Sequence, residues 1–146
     1  MFRAAEPADA DAVTEIFLAA RAGMTYLPEL HTPAETRSWV RDGLLRDHEV
    51  WIVEDDGRVA GFAALGDDFL EHIYVHPQAQ GRGLGTALLD LSKERRPDRL
   101  RLWVFQKNAG ARRLYERHGF ELVELTDGAG NEEREPDALY EWVERG

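Results

Sequence analysis

Residues Leu70–Asp90 read LEHIYVHPQAQGRGLGTALLD, and their order decides how the rest of the chain is read. Glu71-His72-Ile73-Tyr74-Val75 has the composition of a strand, and His76-Pro77 closes it, because proline cannot continue a central strand. Gln80-Gly81-Arg82-Gly83-Leu84-Gly85 makes a glycine-rich turn, and Thr86-Ala87-Leu88-Leu89 continues as a helix. A strand, a glycine turn and a helix in that order form a phosphate site. The first helical N–H groups lack internal partners, the helix dipole is positive there, and glycines admit an anion close to the backbone. Two common phosphate loops are excluded. In the Gly83-Gly85 frame the third position of a dinucleotide fingerprint is Leu88, and in the Gly81-Gly83 frame it is Thr86. No Gly-Lys-Ser/Thr is present for an ATP-type loop.

What remains is Gln-x-x-Gly-x-Gly directly behind a short strand ending in Val-x-Pro. This resembles the acyl-CoA-binding signature of the GNAT superfamily of N-acetyltransferases. Outward from it, the chain follows that family's element order. Phe2-Arg3-Ala4 reads as a first strand, and Val13, Ile16, Phe17 and Ala20 share one helical face that Gly23 ends. Thr32-Pro33-Ala34-Glu35 has the form of a capping box opening a second helix to about Leu45. Val50–Val53 and Val59–Leu65 are strands around an Asp55-Asp56-Gly57-Arg58 hairpin turn. The helix behind the glycine turn carries Leu84, Leu88 and Leu91 toward the sheet and ends near Arg95-Arg96-Pro97. Leu100–Phe105 is a strand, Asn108–His118 a helix with Gly119 as its left-handed cap, and Phe120–Leu125 and Ala138–Val143 the last strands. The pattern is βααβββαβαββ: a mixed α/β fold, one domain over residues 1–146, with a central mixed sheet and about four helices.

Composition narrows the function. A chain of 146 residues holds one domain with a sizeable core and is too short for two of ordinary size. A net charge of −10 lacks the basic footprint of a nucleic-acid binder and reads first as a soluble, acidic surface. The N-terminal MFRAAEPADADAV has no apolar signal core, and no apolar run approaches the ~20 residues a bilayer requires, so a cytoplasmic protein without membrane contact is expected. With no cysteine, disulfides and a cysteine thioester intermediate are excluded. The histidines are scattered without metal-ligand spacing, and no metal is expected.

The resemblance implies acetyl-CoA as cosubstrate and direct transfer of acetyl to a primary amine of a small molecule or peptide. It also implies that the backbone of Ile73, Tyr74 and Val75 pairs with the pantetheine arm, as a peptide augments a sheet edge. Gly81, Arg82, Gly83, Leu84, Gly85 and Thr86 would present N–H groups to the pyrophosphate, with a charge-assisted contact from Arg82. Gln80 would contribute a side-chain contact or a loop-stabilising hydrogen bond. A second motif, Asn108-x-x-Ala111-x-x-x-Tyr115 followed by Gly119-Phe120, places Asn108 and Tyr115 on one helical face with a small residue between them. Read without the resemblance, Asn108 is an N-cap and Tyr115 a core aromatic with a satisfied hydroxyl.

Chemistry on this plan needs three groups. Ile73 would offer a backbone N–H to the developing oxyanion, and Tyr115 holds the position from which the family usually protonates the departing thiolate. Glu71, two residues before Ile73 and on its face in a regular strand, is the candidate base. Its alternative is a strand-end carboxylate paired with an arginine. Glu132, Glu133, Glu135 and Asp137 make Thr126–Asp137 strongly acidic. That segment either selects a cationic acceptor together with Met24–His31 or is a solvated loop. Arg95-Arg96 and Arg112-Arg113 read as solvent-facing, and an exposed final strand would permit a homodimer by edge pairing. The alternative function is a non-catalytic acyl-CoA-binding or sensor module on the same fold.

Overall fold

In the computed structural model, which describes residues 1–144, the expected strands are present. They form two antiparallel sheets that one parallel bridge joins into a mixed surface. The first sheet has the order β1 (Phe2–Ala4), β2 (Glu49–Asp55), β3 (Arg58–Leu65) and β4 (Leu70–Val75). The second contains β5 (Arg99–Phe105), β6 (Glu121–Leu125) and β7 (Asp137–Val143) in the order β5-β7-β6. The last strand is therefore central, not an edge, and the expectation of dimerisation through it is corrected: β6 is the edge. The sheets meet where Phe69 bridges Arg101 and the Arg101 N–H donates to Asp68 O at 2.8 Å.

Local chemistry accounts for the elements. Asp56 and Gly57 both take positive φ (53° and 74°), the twist a two-residue hairpin turn requires between β2 and β3. Helix α1 spans Ala10–Ala22. Helix α2 begins at Pro33 behind a complete capping box, Glu35 N–H to Thr32 Oγ1 at 3.1 Å and Thr32 N–H to Glu35 Oε1 at 2.8 Å. From Pro33–Trp39 it continues through a π turn, Val40–Leu44, and a last turn, Leu45–Asp47. Helix α3 is Leu84–Arg95 and helix α4 is Ala109–Arg117, ended by Gly119 at φ 87°.

The helices cover opposite faces. Val13, Ile16, Val40 and Leu44 close over Ile52, Phe62 and Ala64 on one side. On the other, Leu88, Leu89 and Tyr115 pack with Leu100, Leu102, Phe120 and Tyr140. Leu88 and Leu89, rather than Leu88 and Leu91, are the fully buried leucines of α3. Arg96 is also not solvent-facing: it donates to Gly66 O, Asp67 O and Glu49, and Arg95 donates to Glu49 as well. Burial opposes the Glu49 charge, but the hydrogen bonds from Arg95, Trp51 and Arg96 outweigh it and hold the carboxyl at about 2. Arg112 likewise donates to the Tyr140 hydroxyl at 3.0 Å.

Gly61 sets how closely β3 and α3 approach β4. A Cβ there would lie 2.9 Å from Tyr74 O and 3.2 Å from both Leu88 Cδ1 and Val53 Cγ1. The nearest neighbour is backbone and cannot step aside. Gly61→Ala is therefore expected to cost about 1–3 kcal/mol by overpacking. Thermal unfolding should show a Tm lower by several degrees; an unchanged Tm would mean the strands separate there at no cost.

Candidate active site

The site starts from an interrupted ladder. His76 N–H donates to Ala60 O at 2.8 Å, which makes that pair a mutually bonded one. By the alternation of an antiparallel ladder, Tyr74 opposite Phe62 is bonded too, while Ile73 opposite Ala63 and Val75 opposite Gly61 point their N–H and C=O groups away from β3. In a closed sheet β5 would pair with them. Here β4 and β5 are linked at Phe69–Arg101 and diverge beyond it, so the groups of Ile73 and Val75 face a cavity of about 1350 Å³. Tyr74 departs from the expectation, because its backbone is committed to β3 and it meets the cavity with its side chain.

The same cavity reaches the glycine turn. After a 3-10 turn at Pro77–Ala79, Gly81 and Gly83 take φ of 82° and 78°, and Gly83 is the N-cap of α3. A Cβ at either glycine would have no heavy-atom neighbour within 4 Å. Gly81 and Gly83 are thus left-handed, with open space at their α-carbons, and both line the cavity at the start of α3, where an anion can meet a helix N-terminus. Gln80, Leu84, Gly85 and Thr86 also line the cavity. Gln80 Nε2 donates to Val75 O at 3.4 Å, tying the turn to the end of β4. The Arg82 guanidinium is bound to Asp55 of the β2–β3 hairpin, so its side chain anchors the turn from outside.

Asn108 and Tyr115 line the cavity from α4. Asn108 is the N-cap, its Oδ1 accepting the Ala111 N–H at 3.2 Å. Tyr115 is 6% exposed and packs against Phe120 and Tyr140, with ring centroids 5.9 and 6.3 Å away. Burial pushes its phenol well above the usual range, so it stays protonated at neutral pH. No hydrogen bond to its hydroxyl occurs among the described residues.

Glu71 sits where β4 is irregular. The register moves from Ala64–His72 to Leu65–Leu70, leaving Glu71 as an unpaired bulge residue. Strict alternation therefore does not hold: Leu70 joins the core that Ile73 packs against, and the exposed Glu71 lies at the cavity wall with its carboxylate beside Gly66. His72 turns the other way, among Phe17, Trp39 and Tyr74 at ring distances of 6.1, 5.2 and 6.3 Å.

Burial first, then the charges of Arg21 and His48, push His72 down to about 4. An unfolded chain takes up that proton near 6.5, whereas the folded one resists it until about 4. The resulting stability is complete above pH ~6.5 and is lost as pH falls toward ~4, on the order of 3 kcal/mol in all. His72→Gln should flatten the decline of Tm across that interval, and an unchanged slope would remove His72 as its source.

Another part of the cavity wall joins α1 to the acidic segment, and of its residues Arg21 was not visible in the sequence. Arg21, at the end of α1, donates from Nε to the Tyr74 hydroxyl at 3.3 Å and from Nη1 to Glu133 at 3.0 Å. Its guanidinium lies 5.0 Å from the Phe17 ring and 5.7 Å from Phe105. Burial disfavours its charge, but Tyr74 and Glu133 more than offset this and the pKa is raised. Nearby, His31 meets Glu132 at 2.5 Å, Lys107 meets Glu135 at 3.5 Å, and Tyr26 packs on Phe105. The acidic segment is accordingly no freely solvated loop. Asn131 Nδ2 donates to Glu135 O and Asp137 Oδ2, and Glu135 is 8% exposed. Arg21 carried no signal because a basic residue in a last helical turn is ordinarily a dipole partner.

Among the described residues no group of three or more His, Cys, Asp or Glu is placed to hold a metal ion, and no helix is long and apolar enough to cross a membrane.

Comparison with known proteins identifies the family. The family model of an acetyltransferase (GNAT) domain matches residues 46–122. The chain is 32% identical over 144 residues to the L-methionine sulfoximine/L-methionine sulfone acetyltransferase of Salmonella typhimurium, covering 83% of this chain and 80% of that protein. It is 38% identical over 86 residues to the peptidyl-lysine N-acetyltransferase YiaC of Escherichia coli, spanning 58% of each. The match to the mycothiol acetyltransferase of Beutenbergia cavernae spans 32% of that protein. Among solved structures, YncA of Salmonella typhimurium with its cofactor acetyl-CoA superposes with a TM-score of 0.75 at 26% identity, covering 98% of this chain and 92% of that one. Apo YjaB of Escherichia coli has a TM-score of 0.78 at 19% identity, covering 98% and 97%, and shows the shared fold.

Proposed function

Because this chain belongs to the GNAT family of acetyltransferases, we propose that it is an acetyl-CoA-dependent N-acetyltransferase acting on a primary amine. The observation that carries this reading is the backbone of Ile73 and the Val75 N–H, turned away from β3 toward one cavity that runs to the glycine turn. The pantetheine arm would complete the interrupted ladder there, and the N–H groups from Gly81 to Thr86 would take the pyrophosphate. Gln80 and Arg82 would hold the turn in shape through Val75 and Asp55. Asn108, its carboxamide oxygen engaged as a cap, would present its remaining N–H groups.

Acetyl-CoA supplies an activated acetyl thioester. The Ile73 N–H, free of β3, would donate to the carbonyl oxygen as charge develops on it. Glu71, directly or through a water, would take a proton from the acceptor ammonium so that its nitrogen can form the new C–N bond. Tyr115, protonated at neutral pH, would give its proton to the sulfur as the C–S bond breaks, and the second proton that the nitrogen sheds in becoming an amide would restore the phenol.

The test is release of CoA thiol from acetyl-CoA in the presence of an amine panel, beside calorimetry with CoA alone. Binding together with amine-dependent release is expected. Binding without turnover would leave an acyl-CoA-binding module, and no binding would remove the reading.

A further inference from the structure

The cavity wall between α1 and the acidic segment contains an ion pair whose hydrogen bonding is incomplete. Arg21 uses Nε on Tyr74 and Nη1 on Glu133, and its Nη2 has no protein partner among the described residues. Glu133 accepts from Arg21 through Oε2, and its Oε1 is likewise without a protein partner among them. Both residues line the large cavity, and both are mostly covered, with side-chain exposures of 25% and 17%. A half-buried guanidinium with Nη2 unpartnered has charged N–H donors for a carboxylate. The neighbouring carboxylate oxygen is an acceptor for an ammonium. Because the pair is neutral as a unit, a lone cation or a lone anion gains from one member and is repelled by the other. A ligand carrying both charges a few ångströms apart satisfies both.

We propose that Arg21 and Glu133 read the zwitterion of an amino-acid-type acceptor, Arg21 Nη2 taking its carboxylate and Glu133 Oε1 its ammonium. This rests on the acetyltransferase reading above and names its substrate class. The surroundings suit a compact molecule. Tyr26, Phe105 and Tyr74 supply aromatic wall beside the pair. Links from the α1 side to the acidic segment, Arg21–Glu133 and His31–Glu132, run between residues far apart in the chain and bring the two segments together. Lys107, 60% exposed and reaching Glu135 at 3.5 Å, is the more solvated cation near this wall, whereas Arg21 is the better covered one at 25%.

The experiment compares proteinogenic L-amino acids with their carboxamides, with the corresponding decarboxylated amines, and with Nα-acetyl-lysine amide, whose only amine is on the side chain. Acetyl transfer is followed by thiol release. Loss of a charge-assisted contact predicts kcat/KM for the acid above that for its amide by about 10- to 100-fold. Arg21→Gln should bring the acid-to-amide ratio close to one. A purely structural role for Arg21 would lower both substrates together and leave the ratio intact, which overturns the proposal. Equal or better use of amides, simple amines or the lysine derivative by the unaltered protein also overturns it while leaving the acetyltransferase reading in place. Failure to bind acetyl-CoA at all overturns both.

Discussion

Tyr115→Phe is expected to lower kcat by about 10²- to 10³-fold with the fold intact, the scale of a lost general acid. The substitution keeps the ring against Phe120 and Tyr140 and removes only a hydroxyl that makes no hydrogen bond among the described residues. Nothing is left unsatisfied, so Tm should hold or rise slightly as a desolvated polar group disappears. KM for acetyl-CoA should change little, because the loss falls on the departing sulfur rather than on binding. Turnover within about threefold of the unaltered protein would show that water protonates the thiolate and that Tyr115 serves the core alone.

The second large effect belongs to Gly83. Its φ of 78° lies where a β-branched residue is strained by roughly 1–2 kcal/mol, and the space above its α-carbon contains no protein atom within 4 Å. A valine there would project into the volume proposed for the diphosphate and tilt the N–H groups at the start of α3. Each charge-assisted hydrogen bond lost costs about 1.5–3 kcal/mol, so with two lost Gly83→Val should weaken acetyl-CoA binding by at least about 100-fold. Gly57→Val is the control, since Gly57 has φ 74° and equally open surroundings in the β2–β3 turn. It should lose similar stability and keep its affinity. Calorimetry on the two variants separates backbone strain from obstruction; equal losses of affinity, or none in Gly83→Val, would remove the glycine turn as the diphosphate site.

Part of this site is legible in the order of residues along the chain. The glycine turn behind Val75-His76-Pro77, the Thr32–Glu35 capping box, the Asp56-Gly57 hairpin and the Asn108 cap all rest on contacts within a few residues, which spacing encodes directly. The β4 bulge is different. It depends on how Ala64 and Leu65 meet Leu70 and His72, and alternation by itself put Glu71 on the face that Leu70 occupies. The acidic segment stays open between two readings, because its clustered carboxylates resemble a solvated loop until Arg21, His31 and Lys107 arrive from elsewhere.

Sequence alone determined the order of elements, the family signature and the residues of the glycine turn, since each follows from backbone conformation and periodicity over short stretches. Tertiary structure decided that β7 lies between β5 and β6, that β4 and β5 part beyond Phe69, and that Arg21 faces Glu133 across 112 residues of chain. Those relations are set by how packed layers of helix and sheet twist past one another. No local spacing records the distance between residues that meet only after the chain has folded back on itself.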